Sequence, residues 1–67
     1  MIELLINGES RSFPAPLSLA RLVETLDLAG KRIAIERNGE IVPKSRHANT
    51  QLVSGDRLEI VVAVGGG

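Results

Sequence analysis

One amphipathic helical segment, placed between segments that alternate like strands, constrains the fold of this chain most. Its apolar face follows the i, i+3, i+4, i+7 spacing of a helix packed on one side, and it consists of Leu19, Leu22, Val23 and Leu26. Ser18 is the predicted N-cap, because its hydroxyl can accept a hydrogen bond from a free amide of the first turn. Gly30 is the predicted stop. A single helix argues against the two-helix ferredoxin-like arrangement.

The segments on both sides of the helix alternate apolar and polar residues with the period of a half-buried strand. The predicted strands span residues 2–6, 10–13, 32–37, 40–42 and 57–64, with a polar connection at 43–50 and a short apolar piece at 51–53. Asn-Gly pairs at 7–8 and 38–39 predict tight hairpin turns, since both central positions of such a turn need positive φ. The inward face of the last strand is predicted to hold Leu58, Ile60, Val62 and Val64.

This order of a hairpin, one helix and two or three more strands predicts an α+β fold. We expect a β-grasp, or ubiquitin-like, architecture, in which a mixed sheet of four to five strands has one main helix packed across one face. The long last strand is expected to be central. Residues 1–64 are predicted to form the β-grasp domain, and residues 65–67 to form a flexible C-terminal glycine tail.

Length and composition argue against several classes of function. A chain of 67 residues buries only about 60% of its unfolded surface, which leaves little room for an internal active site, so we expect a protein that is not an enzyme. A net charge of zero and a single aromatic residue, Phe13, argue against nucleic-acid binding. The chain has no cysteine and no apolar run long enough for a membrane span, which favours a soluble, cytoplasmic protein.

The side chains offer no persuasive catalytic or metal-binding group. His47 is the only histidine, and its polar neighbours Arg46 and Asn49 predict a solvated ring. The acidic residues are scattered along the chain and lack the spacing of metal ligands. We therefore expect no catalytic side chain, no bound metal and no bound cofactor.

The outer face of the sheet is a predicted docking surface. If the neighbouring positions face the helix, then Leu5, Val61 and Ala63 face away from it and form an exposed apolar patch. The predicted polar rim of this patch consists of Glu36, Arg37, Arg57 and Glu59. Such a patch beside a glycine tail is typical of a surface that binds a partner protein.

The chain ends in Gly65, Gly66 and Gly67, directly after an apolar strand. A tail without side chains is thin and free in its backbone angles, which suits insertion into the narrow active site of a partner. Ordering it costs roughly 1–2 kcal/mol per residue, so we expect it to become ordered on binding. A terminal carboxylate is a poor acyl donor, but ATP can convert it to an acyl-adenylate. A sulfur nucleophile then gives a thiocarboxylate and an amine gives an isopeptide, and both outcomes stay open here.

Three segments give the chain a resemblance to a known family. They are Ile-Ala-Ile-Glu-Arg-Asn-Gly-Glu-Ile-Val-Pro at 33–43, Gly-Asp-Arg-Leu-Glu-Ile-Val at 55–61, and the terminal glycines. Over essentially its whole length the chain resembles the ThiS family, the bacterial sulfur carriers of thiamine (thiazole) biosynthesis. The most specific elements are the Asn-Gly-Glu-Ile-Val-Pro segment, the Gly-Asp pair and the terminal Gly-Gly.

The resemblance implies how the tail is used. Gly67 is expected to be adenylated by an E1-like adenylyltransferase that consumes ATP, and then converted to a glycyl thiocarboxylate with sulfur from a persulfide donor. Thiazole synthase is expected to take the sulfur. Gly66 corresponds to the other member of the family's terminal pair, and Gly65 is an additional glycine that lengthens the reach of the tail. The family's partners are expected to dock on the apolar outer face.

Three other interpretations share parts of this pattern. The small subunit of molybdopterin synthase has the same fold and thiocarboxylate chemistry but is usually longer, so the short chain with Asn-Gly-Glu-Ile-Val-Pro favours the thiazole branch. A ubiquitin-like protein modifier uses the same activation to form isopeptides. A β-grasp interaction or RNA-binding module has no need of a diglycine carboxylate.

Overall fold

The computed structural model describes residues 1–63. Its strands are β1 (Ile2–Ile6), β2 (Glu9–Phe13), β3 (Ile33–Arg37), β4 (Glu40–Ile41) and β5 (Arg57–Val62), and its helices are α1 (Leu19–Thr25) and a short 3₁₀ helix (Lys44–Asn49). The predicted strands are therefore present, with starts and ends that differ by one residue where both are described. Val64, the predicted end of the last strand, lies outside the described residues. The division into a domain of residues 1–64 and a tail of residues 65–67 stays a prediction.

Within residues 1–63 the strands form one five-stranded mixed sheet in the order β2-β1-β5-β3-β4. β1 and β5 are parallel, and the other neighbouring pairs are antiparallel. β5 is thus central, and α1 covers one face because its apolar residues join the core of the sheet. The predicted β-grasp fold is confirmed.

Both Asn-Gly pairs form the predicted hairpin turns. Asn7 and Gly8 have φ of 50° and 84°, and Asn38 and Gly39 have φ of 52° and 87°. These positive values match the two-residue turn that follows the twist of the flanking strands. The turns connect β1 to β2 and β3 to β4, and so place the two hairpins on opposite sides of β5.

The helix begins where the sequence predicts and ends earlier. The Ser18 hydroxyl accepts a hydrogen bond from the Arg21 N–H at 3.1 Å, which confirms the N-cap. The last helical residue is Thr25, however, and Asp27 takes the left-handed conformation with φ of 60°. The Leu28 N–H then bonds the Val23 carbonyl at 2.9 Å, as in a Schellman motif. The predicted stop at Gly30 is wrong, because the partly buried Leu28 closes the helix against the core.

The core lies between α1 and the sheet. Its buried side chains are Leu4, Ile6, Phe13, Leu17, Leu19, Leu22, Val23, Ile35, Leu52, Leu58 and Ile60. Leu58 and Ile60 face inward as predicted, whereas Val62, on the same side of β5, is 37% exposed. Among the described residues, no helix combines the length and the apolar character that a membrane span requires.

Candidate functional site

The end of β5 is the part of the fold that leads into the glycine tail. β5 pairs with β3 up to Val62, which lies opposite Ile33. The Ala63 N–H then donates to the Arg32 carbonyl at 2.9 Å. The sheet therefore holds the backbone in place up to the last described residue. The predicted modification and threading residues Gly65, Gly66 and Gly67 lie outside the described residues.

The other edge of β5 is completed by a side chain. The parallel pairing with β1 ends at Ile6 and Leu58. Beyond it, the Asn7 side chain donates from Nδ2 to the Ile60 carbonyl at 3.1 Å and accepts from the Ile60 N–H at 2.8 Å. The sequence explains Asn7 by its turn conformation alone. It gives no local signal for this pairing, because the two residues are 53 positions apart.

A buried carboxylate fixes the start of β5. Asp56 is 4% exposed, and its Oδ2 accepts hydrogen bonds from Arg37 Nε at 3.0 Å and from the Val53 N–H at 2.9 Å. Its Oδ1 accepts from Asn38 Nδ2 at 3.1 Å. Asn38 in turn accepts from the Arg57 N–H at 2.9 Å. The Arg-Asn-Gly and Gly-Asp segments that carry the family resemblance therefore join the second hairpin to β5.

The hydrogen bonds around Asp56 also set its titration. Burial by itself raises the pKa of a carboxyl group, because it disfavours the charged form. The Val53 N–H, the Asn38 amide and the Arg37 guanidinium outweigh this effect, and they hold the pKa of Asp56 below its ordinary value of 3.8. Asp56 is thus a structural anion, and its carboxylate is already occupied by donors from the protein.

The three predicted docking residues are exposed but do not form one patch. Leu5 is 38% and Val61 63% exposed, and Ala63 is exposed as well. Leu5 lies opposite Arg57, which precedes Val61 by four residues on β5, so about 13 Å of strand separates the two apolar positions. Val61 lies opposite Ala34 on β3 instead. The register therefore divides the predicted patch into Leu5 and a group at the end of β5, defined here as the β5-end patch (Ala34, Val61, Ala63).

Three of the four residues predicted for the polar rim lie on the outer face of the sheet. Glu36, Arg57 and Glu59 line a hollow of about 420 Å³ on the outer face, and Glu36 lies directly opposite Glu59. Arg37 lies opposite Leu58 and is bound to Asp56, so its predicted place in the rim is wrong. The side chain of Arg37 serves the fold, because its ion pair with the buried Asp56 has an N–O distance of 2.9 Å.

The prediction for His47 is wrong, because the structure buries its ring. The predicted solvated ring is 7% exposed, and its Nε2 donates to the Val42 carbonyl at 3.1 Å. A carbonyl oxygen can only accept, so Nε2 carries the hydrogen. The burial of His47 is hard to predict because its neighbours in sequence are polar. They form a 3₁₀ helix in which His47 is the buried residue. The sequence pattern contains no apolar period that signals the packing.

The polar side chains of Ser18 and Ser54 form hydrogen bonds that support the fold. Within residues 1–63, no group of three or more His, Cys, Asp or Glu residues is placed to hold a metal ion. Ser18 caps α1, and the Ser54 hydroxyl accepts from the Glu3 N–H at 3.0 Å. These side chains bond the backbone of the fold, and the sheet holds the end of β5 in place through the bond between Ala63 and Arg32.

A family comparison identifies the group to which this fold and tail belong. The model of the ThiS family matches residues 4–67, and so covers the β-grasp body together with the glycines. The chain belongs to the ThiS family. The resemblance to the sulfur carriers of thiamine biosynthesis is thereby confirmed.

Individual relatives of this ThiS-family chain agree with the assignment. The sulfur carrier protein ThiS of Bacillus subtilis is 41% identical over 46 residues, which cover 69% of this chain and 70% of the relative. The crystal structure of the thiamine biosynthesis protein (ThiS) of Geobacter metallireducens superposes with a TM-score of 0.82 at 26% identity, and covers 98% of this chain and 100% of that one.

A further relative is much longer than the ThiS-family chain. The protein named thiazole synthase of Paramagnetospirillum magneticum is 46% identical over 66 residues, which are 98% of this chain. The same residues are 20% of the relative, so this chain spans about a fifth of its length. In that relative, a region similar to this chain is part of one polypeptide with the remainder of the protein.

Proposed function

We propose that this ThiS-family chain carries sulfur for thiazole formation in thiamine biosynthesis as a thiocarboxylate on Gly67. The observation that carries the proposal is the family match, which extends through the glycines to residue 67. The body supports it by holding the chain up to Ala63, whose N–H is bonded to the Arg32 carbonyl. In this account the folded body is the part that partners recognise, and the tail is the part that reacts.

The proposed chemistry starts from the Gly67 carboxylate. A carboxylate oxygen attacks the α-phosphorus of ATP in the active site of an E1-like adenylyltransferase, and pyrophosphate leaves. The outer sulfur of a persulfide donor then attacks the acyl carbon and displaces AMP, which gives an acyl disulfide. A thiol next attacks the donor's inner sulfur and breaks the S–S bond, so that the thiocarboxylate leaves and the thiol and the donor become joined as a disulfide. ATP is bound and consumed by the partner enzyme, and this chain contributes the acyl group.

The length of the tail limits how deep the reacting group can go. Gly67 follows Ala63 by four residues, and an extended chain spans at most about 3.3–3.6 Å per residue. The reacting carbon can therefore lie no more than roughly 14 Å beyond the sheet. Because the last three of these residues lack side chains, a channel barely wider than a peptide backbone can admit them.

Thiazole synthase is the proposed acceptor of the sulfur. The relative from Paramagnetospirillum magneticum supports this, because a region similar to this chain forms a fifth of a protein with that name. A domain that is covalently joined to its acceptor in one species is expected to meet the same acceptor as a separate chain in another. The proposed destination also distinguishes this chain from a protein modifier.

Deletion of Gly67 tests the proposal, with Gly67→Ala as the matched control. The deletion moves the terminal carboxylate back by one residue, while Gly67→Ala keeps the length of the chain and adds one methyl group. We expect the deletion to abolish thiazole formation in a reconstituted assay and to leave the unfolding midpoint unchanged. Undiminished sulfur transfer by the folded deletion variant contradicts the assignment of Gly67.

A further inference from the structure

A groove on the helical side of the molecule lies outside the predicted docking surface. It is enclosed by α1, by the loop from α1 to β3, and by the 3₁₀ helix, and its volume is about 680 Å³. Its lining includes the apolar residues Ala20, Val23, Leu28 and Ile33, called here the floor. Lys31, Arg32 and Lys44 also line it, and each of these cations is exposed. We call this feature the helical groove.

The charge of the helical groove is positive in a chain that is neutral as a whole. Three cations line it, against one carboxylate, that of Glu24. Glu24 already pairs with Arg21 at 3.5 Å on the exposed side of α1. The other ion pair found among residues 1–63 joins Arg37 to Asp56, so neither pair uses a cation of the groove. The groove is therefore complementary to an anionic surface.

The groove lies at the same end of the molecule as the start of the tail. Ile33, which lines the groove, is opposite Val62 in the sheet. Arg32 contributes a side chain to the groove and its carbonyl to the hydrogen bond with Ala63. A protein that holds the tail in its active site thus has the groove directly beside its surface.

We propose that the helical groove receives an acidic segment of thiazole synthase, with an apolar side chain on the floor and carboxylates against Lys31, Arg32 and Lys44. The inference rests on the proposed function, and it adds a recognition surface distinct from the β5-end patch. Thiazole synthase is the proposed partner because, in one relative, a region similar to this chain forms part of a protein of that name.

The groove suits a protein segment better than a free anion. Its cations are exposed and lie on two separate parts of the chain, the loop before β3 and the 3₁₀ helix. An exposed ion pair contributes little by itself, so a single small anion gains little from these cations, whereas a protein segment can contact them and the apolar lining together. An apolar floor with a cationic edge matches instead the apolar centre and polar rim of a protein interface.

The test is a charge reversal in the groove, with a control reversal outside the groove on the 3₁₀ helix. Lys31→Glu combined with Lys44→Glu reverses two cations of the groove. Arg46→Glu is the single-site control, since Arg46 is also exposed, lies on the 3₁₀ helix and lines a different hollow. Calorimetric titration of the chain into thiazole synthase from the same organism should show an affinity about tenfold lower for the double variant and within about threefold of wild type for Arg46→Glu.

Salt and small anions separate the alternatives. The affinity of the wild-type chain should fall as ionic strength rises, and that of the double variant should change less. Equal affinities for wild type and double variant overturn the proposal, and so does an equal loss in Arg46→Glu. A different outcome is saturable binding of inorganic phosphate or ATP at the groove, which NMR shifts of Lys31 and Lys44 would detect. If the double variant also keeps the wild-type affinity for the synthase, the groove is a small-ligand site and the proposal is overturned.

A second readout separates this inference from the proposed function. The double variant should form the thiocarboxylate as well as wild type, because its tail is intact, and should then transfer sulfur poorly at low concentrations of the synthase. The Gly67 deletion should give the opposite result. It should form no thiocarboxylate, while the two Lys→Glu changes should still lower its affinity for the synthase by nearly the same factor as in wild type. Thiocarboxylate on the deletion variant overturns the assignment of Gly67 and leaves the groove measurement valid.

Discussion

Asn7 and Asn38 each combine a turn conformation with hydrogen bonds to β5. Both have positive φ, and both use their side-chain amides on backbone groups of residues far away in sequence. The turn role can be predicted from the Asn-Gly pair because it is local. The second role cannot, since it depends on which strand the completed fold places beside the turn. Asn7 and Asn38 therefore each fulfil two structural roles, of which the sequence shows one.

Asn7→Gly separates the two roles of Asn7. Glycine accepts positive φ without strain, so the turn is kept, while the Ile60 N–H and carbonyl lose the partners that lie at 2.8 and 3.1 Å. Because Ile60 is a buried position, we expect the free energy of unfolding to fall by about 1–3 kcal/mol, as measured by urea denaturation. Asn7→Asp keeps one acceptor and should lie between. A glycine variant as stable as wild type contradicts the account.

Asp56 makes the stability of the fold depend on acidic pH. Its pKa is lowered in the folded protein, so the unfolded chain binds a proton more readily. The stabilisation is therefore complete well above pH 3.8, the ordinary value, and is lost as the pH falls through the folded pKa. We expect the difference in unfolding free energy between wild type and Asp56→Asn, about 1.5–3 kcal/mol at pH 6, to shrink towards pH 3. A difference independent of pH contradicts the role of the charge.

At the scale of elements, the errors of prediction have a common physical cause. The helix stops at Thr25 because Leu28 packs on the core and Asp27 accepts the left-handed conformation, although Gly30 is the better local stop. The 43–50 connection forms a 3₁₀ helix because His47 packs inward and bonds Val42. In both cases tertiary packing determines the local conformation. Local propensity favours a different end for α1 and gives no preference for residues 43–50.

Val61 lies at the end of β5, next to the tail, whereas Ile41 lies on the edge strand β4. We therefore expect the two exposed side chains to contribute unequally to docking. Val61→Asp changes the β5-end patch, and Ile41→Asp is its control, since Ile41 is on β4 with 64% exposure against 63% for Val61. Measured as the KM of the activating enzyme for the chain, Val61→Asp should cost about tenfold and Ile41→Asp less than threefold. Leu5→Asp should add independently to Val61→Asp, because the two sites are about 13 Å apart. Equal effects at Val61 and Ile41 exclude docking centred on β5.

For the whole molecule, the sequence is sufficient to predict the fold. The alternation of residues 2–6 and 33–37, the two Asn-Gly turns and the single apolar helix face each reflect a local rule, and together they leave the β-grasp as the consistent solution. The site was less predictable. The place where the tail leaves follows from the last strand, whereas the division of the outer face and the helical groove depend on strand register and on how two loops fold against α1.

In the whole molecule, two proposed recognition surfaces lie on opposite faces, and one residue, Gly67, is proposed to react. The sheet fixes the chain up to Ala63, the β5-end patch lies on one face, and the helical groove lies on the other. Both surfaces are next to the strand that leads into the tail. Successive partners can therefore bind different faces of one body while using the same terminal residue.

Intact mass spectrometry of the chain tests the central claim most directly. The protein is incubated with ATP, the adenylyltransferase of the same organism, a persulfide sulfur donor and a thiol reductant, and the product is fragmented. The account predicts a mass increase equal to the replacement of one oxygen by sulfur, located at Gly67, and no increase when ATP is omitted. An unmodified mass, obtained while a control carrier of the ThiS family is converted by the same enzyme, contradicts it.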